Sequence, residues 1–429
     1  MPHVDENPYL ASGVDQIDEP LAVAAADGDD RLIGWLHVAI AAAAMVGTLP
    51  GRTHGLGMIT EPLLADAEVG RTAFADINLW ATLIGAIFCW PAGILLDRFG
   101  TRRVLAAISL ALGAVVVSLS YARGYWPLFV LVTLTRALGQ SMLSVASLTL
   151  VGKAFRERLG PAMGVYSLLV GLGFAAAFKS AGWAILQFGW RNAWSGIGLV
   201  LVVGLTPLAW MLVREPRPAA ETNRTDDGDL EPARGATLSQ ALASPVFWVF
   251  AVASSVYGLI SSGIALFNQA ILAERGFSPE TYYTVLSISS LAGMASNLLG
   301  GWSAMRVSLN RILGFAMAVL AGSLVALPLV EELWHVYVYA VAMGSAGGIV
   351  TVCFFTVWAS AFGRMHLGKI QGLAQMMTVL ASAIGPRVFA ECFERTQSYT
   401  GAFYVLSPVA LLLAMASWSI TMPESHSDL

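Results

Sequence analysis

Residues 93–103 read GILLDRFGTRR, and the spacing G-x-x-x-D-R-x-G-x-R-R has a physical requirement at each fixed position. Gly93 lets a neighbouring helix approach closely, Gly100 permits a tight turn, and Asp97 can pair with a cation or a helix N-terminus across an interface. Arg98, Arg102 and Arg103 put three positive charges into one short loop, which holds such a loop on the cytoplasmic side of a membrane. A basic loop that only fixes topology would meet the same charge pattern. What lies on either side of the stretch decides how much more it means.

On both sides the chain is apolar. Of 429 residues, 56% are hydrophobic and only 12% charged, with a mean hydropathy of +0.68; soluble domains are about 25% charged. Apolar runs of about 20 residues, the length needed to cross a bilayer, occur at 32–60, 76–96, 103–121, 126–151, 160–187, 192–213, 246–272, 282–303, 310–330, 333–360, 370–393 and 402–422. These predict an all-α membrane protein of twelve spans, 1 to 12 in chain order. Residues 214–244 are polar and rich in charge and proline, and fall midway as a linker. The expected organisation is an acidic, disordered cytoplasmic tail over 1–31, a six-helix bundle over 32–213, the cytoplasmic linker 214–244, a second bundle over 245–422 and a short tail, 423–429. Residues 1–30 hold eight acids and no Lys or Arg, the reverse of a secretory signal.

Orientation follows from the basic residues. With the N-terminus inside, fifteen Lys and Arg fall on the inner side and five outside, so both termini are expected in the cytoplasm of a cell whose inner membrane the chain spans. The net charge of -4 reflects acids in the tails and linker and says little about the spans. Cys89, Cys353 and Cys392 lie in or beside apolar runs without metal-ligand spacing, and are expected as small core residues. Neither a metal cluster, a catalytic nucleophile constellation nor a phosphate-binding glycine loop is present. The expectation is therefore no enzyme, cofactor, metal, nucleic acid or obligate protein partner; the partners are lipid, a small solute and, in symport, protons.

The two halves are related by an offset of 208 residues. RERLGPAMG (156–164) lies on RMHLGKIQG (364–372), where Arg, Leu and both glycines coincide. Gly93 falls on Gly301 and Arg98 on Arg306, while Asp97 falls on Met305, so the second half keeps a remnant of the loop. The loop motif and the duplicated unit together resemble the major facilitator superfamily of secondary transporters. That resemblance covers residues 32 to 422 and implies two pseudo-symmetric six-helix bundles rocking around a central site. It also implies that the first and fourth helices of each half line the cavity, and that spans 3, 6, 9 and 12 face lipid.

Polar stripes at helical spacing mark other spans: Arg136, Gln140, Ser144 and Ser147 in span 4, and Ser254, Tyr257, Ser261 and Asn268 in span 7. Span 8 has Tyr283, Ser287, Ser290 and Asn297, and span 11 has Gln371, Gln375, Thr378 and Ser382. Single hydroxyls on such stripes serve as interhelical glue. Arg136, Asn268, Gln269 and Gln375 are costlier to bury and are expected at the cavity, with Tyr257 and Tyr283 beside them orienting a solute.

Four cations lie within spans: Arg52, Arg136, Lys179 and Arg387. At roughly 2.5–3.5 kcal/mol each on insertion scales, four facing lipid would cost on the order of 10 kcal/mol. Glu61, Asp76 and Glu391 are near the outer ends of their spans, so the excess of positive charge points to an anion that visits. Pro50 and Gly51 should bend or open span 1 at Arg52. His54 is two residues on, about 200° around a regular helix, so both reach one cavity only if the helix is irregular there; a structural ion pair of Arg52 with Glu61 or Asp76 is the alternative. His54 is the candidate for proton coupling. Lys179 and Arg387 are equivalent under the repeat, and either face the cavity or snorkel outward.

Within the superfamily, LPGRTHGLGMITEPLL (49–64), the corner Gly189-Trp190-Arg191, and the stretch from Arg364 to Gly385-Pro386 look most like the monocarboxylate and oxalate–formate branch. Members of that branch move small carboxylates by proton symport or exchange, using basic residues in the cavity. Span 8 here lacks the basic residue common in the branch, and Arg136 resembles the arginine of the fourth helix, although Gly139-Gln140 departs from the usual glycine pattern. The expected function is alternating-access transport of a small organic anion, with Arg52 as the first binding residue and Arg136, Lys179 and Arg387 as further candidates. Gly93, Asp97, Arg98, Gly100, Arg102 and Arg103 form the cytoplasmic gate. Export of neutral or cationic compounds is the alternative.

Overall fold

The computed structural model describes residues 19–155, 159–214, 236–363 and 366–422. The expected tail before residue 19, most of the linker (215–235), Arg364 and residues 423–429 lie outside the described residues, as does the Asp97 side chain.

Among the described residues, eleven helices are long and apolar enough to cross a bilayer: Ile33–Ala67 (span 1), Arg71–Leu96 (2), Thr101–Leu119 (3), Tyr125–Ala154 (4), Ala162–Phe188 (5), Trp190–Leu212 (6), Pro245–Ala273 (7), Leu309–Leu329 (9), Leu333–Phe362 (10), Lys369–Thr396 (11) and Thr400–Ser419 (12). The helix Pro279–Ser303, 25 residues long, is span 8. It is less apolar because its Ser, Tyr and Asn stripe faces protein. The first helix already begins at Glu19, inside the stretch expected as a tail. At the far end of the linker, a capped turn of helix, Leu238–Ala243, is tied to span 10 by Ala236 N–H donating to the Phe362 carbonyl at 2.8 Å.

Spans 1–6 and 7–12 form two bundles. Span 3 packs on span 6, and span 9 on span 12, each within its own bundle. Spans 3 and 9 are nonetheless about half buried (50% and 56%) and expose less to lipid than the resemblance implied. Of the cysteines only Cys353 is a core residue; Cys89 is exposed and Cys392 half-buried.

The bundles meet along three seams, span 1 on span 7, span 5 on span 8 and span 2 on span 11. The repeat is visible atom by atom. Gly57 lies on the pseudo-two-fold axis against its own mate, Ala265: a Cβ on Gly57 would sit 2.0 Å from the Ala265 carbonyl oxygen. Lys179 donates to Thr284 Oγ1 at 3.2 Å, while Arg387 pairs with Asp76 at 3.1 Å; both members of one contact are 208 residues from the members of the other. The sign of φ repeats too. Among the described residues Glu68 and Gln397 are the non-glycine residues with positive φ, 53° and 55°, and their mates in the other half are Gly276 and Gly189, at 81° and 80°. Both positions lie at a helix boundary with a positive φ, which favours glycine.

These seams close the end away from the 93–103 loop. At the loop end, Gly93, Gly164, Gly301 and Gly372 are two mated pairs on spans 2, 5, 8 and 11, and a Cβ on any of them would meet nothing within 4 Å. Gly93 was expected to admit a close neighbour; here the bundles are parted and it has none.

Bulk at the two ends should therefore act in opposite senses. Gly57→Val is expected to separate the closed end, raising thiol labelling of a cysteine introduced at Ala265, whereas Gly372→Val should leave this conformation intact and hinder closure of the loop end. Equal labelling in wild type and both variants would contradict this.

Candidate functional site

Span 1 breaks in mid-course. A 3-10 turn, Leu49–Gly51, with Pro50 inside it, interrupts the helix, and Arg52 is extended (φ -95°, ψ 154°) before a new helix starts at Thr53. Glycines make the break possible: a Cβ on Gly51 would lie 2.2 Å from the Thr135 carbonyl oxygen, and one on Gly55 1.8 Å from that of Leu49. The irregularity brings Arg52 and His54 to the same cavity, although a regular helix would set them nearly opposite.

Behind the break, span 4 is π-helical over Arg136–Leu143, an irregularity common at functional sites. Arg136 is 1% exposed. It donates to the Gly51 carbonyl at 3.0 Å, to Gln140 Oε1 at 2.6 Å and to Asn78 Oδ1. This arginine braces the broken backbone from behind through three neutral oxygens, and is absent from the cavity wall.

Arg52 stands in front of the brace. Its Nε donates to Thr48 Oγ1 at 2.6 Å, and Nη2 lies 2.9 Å from Met45 Sδ and 3.3 Å from Ser144 Oγ. The guanidinium carbon is 5.3 Å from the centre of the Phe174 ring. The acids that could have neutralised it are engaged elsewhere: Glu61 with Arg71 at 2.5 Å, Asp76 and Glu391 with Arg387 at 3.1 and 3.2 Å. Among the described residues Arg52 has no carboxylate partner.

Arg52 opens onto a cavity of about 490 Å³ between the bundles, within the range of roughly 300–1,000 Å³ usual for small-molecule sites. Its wall is drawn from spans 1, 5, 7, 8 and 10. Span 4, expected there, is withdrawn to brace span 1, and span 5 takes its place. Tyr257 and Asn268 join Arg52 and His54 at the wall. Asn268 accepts a hydrogen bond from Tyr339 Oη at 3.3 Å.

The other candidates are dispersed. Lys179 is exposed on the span 5–span 8 seam. Arg387 is held by Asp76 and Glu391, so the span cations are not all without acids: span 2 begins at Arg71, which draws Asp76 into the helix opposite span 11. Tyr283 donates to the Met58 carbonyl at 3.2 Å and seals the seam. Gln269 borders a separate cavity of about 350 Å³ with Glu61, Arg71 and Glu274. Gln375 is exposed and outside the central wall.

In the gating stretch, Gly100 makes its turn at φ 82°. Arg98 lies over the Phe99 ring at 5.4 Å and Arg102 over Trp210 at 4.8 Å, while Arg103 is exposed.

The stripes on spans 5 and 10 escaped the sequence reading. Tyr166, Val170, Phe174 and Phe178 recur every fourth residue, as do Tyr339, Met343, Gly347 and Thr351, and all eight line the cavity. Their signal was an i, i+4 period of aromatic, Met and Gly residues, which a search for polar stripes passes over.

Two like bundles around a central cavity, sealed at one end and parted at the other, define an alternating-access secondary transporter. The family model for the Major Facilitator Superfamily matches residues 37–386 and 251–428, and the chain belongs to that family. It is 24% identical to a gallate transporter of Pseudomonas putida, covering 78% of this chain and 81% of that one. It is 21% identical to the multidrug resistance protein MdtG of Citrobacter koseri, over 86% and 92%, and 23% identical to monocarboxylate transporter 10 of Danio rerio, over 87% and 75%. Among solved structures, a bacterial homologue of the human lysosomal transporter Spinster, inward-facing and occupied, superposes with a TM-score of 0.68 at 13% identity, over 93% and 98% of the two chains.

The brace makes a testable demand. Asn78→Ala removes an acceptor from a buried guanidinium, and should lower stability by about 1.5–3 kcal/mol. Thermal unfolding of the purified protein reads this directly; an unchanged midpoint would mean Arg136 does not depend on it.

Proposed function

We propose that the chain carries a small organic anion, a mono- or dicarboxylate, through the central cavity, with Arg52 neutralising the carboxylate. The observation that carries this reading is a guanidinium at a cavity wall deep in the membrane with only neutral partners. A charge there is costly without a counter-ion, and Thr48, Met45 and Ser144 orient the group without cancelling it. Tyr257 and Asn268 hydrogen-bond the solute from the other bundle, so that an occupied site favours the bundles drawing together. Arg136 contributes at one remove, by fixing the break that presents Arg52. The relatives named for gallate and for monocarboxylates agree with this class.

The distribution of Lys and Arg sets both termini and the 93–103 loop in the cytoplasm, in the inner membrane of the cell. In that orientation the structure is open inward, and Gly93, Asp97, Arg98, Gly100, Arg102 and Arg103 belong to the gate that is parted. Among the described residues the cavity wall holds no Asp or Glu. Exchange of one anion for another needs no proton carrier; in symport, His54 is the group in the wall able to take the proton.

Transport of neutral or cationic compounds is the second reading, favoured by the methionines Met45, Met294 and Met343 in the wall and by the relative named for multidrug resistance.

Uptake into proteoliposomes separates the two. Arg52→Ala should reduce carboxylate uptake roughly 30- to 1,000-fold, the scale of removing one partner from a desolvated charge pair, with the thermal midpoint retained. Carboxylate uptake that survives the substitution, or uptake of neutral drugs alone, would reject the anion reading.

A further inference from the structure

The cavity wall is divided by chemistry along the line that divides the bundles. The first bundle presents charge and rings. Arg52 sits above Phe174, Phe174 is stacked on Phe178 with centroids 5.8 Å apart and 25° between planes, and His54 meets the edge of Phe178 at 6.3 Å. The hydroxyl on this side, Tyr166, is already engaged, 2.9 Å from Ser147 Oγ. Once its carboxylate is on Arg52, a ligand meets the aromatic faces of Phe174 and Phe178 on this side, with His54 and Ser167 as the remaining polar side chains of the wall.

The second bundle presents the reverse: amides and hydroxyls with no cation. Asn268 is 5% exposed and its Oδ1 is taken by Tyr339, which leaves the amide NH2 without a partner among the described residues. Asn297, one turn below Met294 on span 8, likewise makes no hydrogen bond there and lines the same cavity. Tyr257 reaches across to span 10, where only a glycine fits: a Cβ on Gly347 would lie 2.2 Å from its hydroxyl oxygen.

A ligand that satisfies both walls has its charge at one end, a neutral hydrogen-bonding group at the other, and between them a flat apolar body that packs on Phe174 and Phe178. We infer that the transported anion is an aromatic carboxylate bearing a hydroxyl group at the end of the ring away from the carboxylate. This rests on the assignment of Arg52 to a carboxylate. It adds the nature of the body, because ring-on-ring packing favours an aromatic body over a saturated one of equal size, and the nature of the far end, because an unspent buried amide favours a partner over none. Such a molecule bridges the bundles, whereas a small aliphatic acid would be held by the first alone.

The test is a binding series on the purified full-length protein in lipid nanodiscs: hexanoate, cyclohexanecarboxylate, benzoate and 4-hydroxybenzoate, measured calorimetrically. Benzoate should bind about 2- to 10-fold tighter than cyclohexanecarboxylate, and 4-hydroxybenzoate a further 2- to 10-fold or so tighter than benzoate. Phe174→Leu should erase the first difference and keep the second; Asn268→Ala should do the opposite. If all four acids bind alike, the aromatic inference falls while the carboxylate assignment stands. If none binds, the carboxylate assignment itself falls. The wild-type series decides both points without either variant.

Discussion

Much of this architecture answers to one arginine deep in the membrane, Arg52, which has no acid partner among the described residues. Arg52 can be held there only if its donors find oxygen and sulfur close by and its charge faces a wet cavity. Both conditions require span 1 to leave helical geometry. The break in turn frees backbone groups that must be satisfied, and Arg136 satisfies one of them by reaching the Gly51 carbonyl. A second arginine is thus buried because the first must be exposed. The π-helical stretch of span 4, the close contact of Gly51 with Gly139 and the withdrawal of span 4 from the cavity all follow.

The duplication shows what the fold needs twice and what it needs once. Positive-φ residues at helix boundaries recur with the same spacing in both halves, and the contact between spans 5 and 8 is the repeat mate of that between spans 2 and 11. The two arginines at the break and its brace do not recur. The repeat mate of Arg52 is Ile260, that of Arg136 is Gly344, and Asp76 answers Arg387 where Thr284 answers Lys179. The scaffold is symmetric in its seams, and the cavity wall is asymmetric in its charge.

Polarity also explains the uneven hydropathy of the spans. Span 8 is the least lipid-like because Ser287 and Ser290 donate to the carbonyls of Ala175 and Gly171 on span 5, at 2.9 and 3.3 Å. Serine caps carbonyls across the seam where a larger side chain would hold the bundles apart. Lys179 and Arg387 sit at the outer limit of these seams and belong to their closure, which is why equivalence in the repeat did not make them partners in the cavity.

Sequence alone established the twelve spans, the duplication, the tight turn at Gly100, the break at Pro50-Gly51 and an excess of cations over acids within the spans. Each is a local property: hydropathy over a window, a repeat spacing, a residue that cannot stay helical. It also brought out Tyr257 and Asn268, because one helix carries both on one face. Which of the four span cations meets the cavity emerges only in the folded chain. That depends on which acids lie opposite on another helix, and Asp76 reaches Arg387 across the bundle interface from far away in sequence. The aromatic wall of span 5 was undecidable for a related reason. A phenylalanine every fourth residue satisfies lipid, a packed core and a ligand equally well, and only the position of the neighbouring bundle tells them apart.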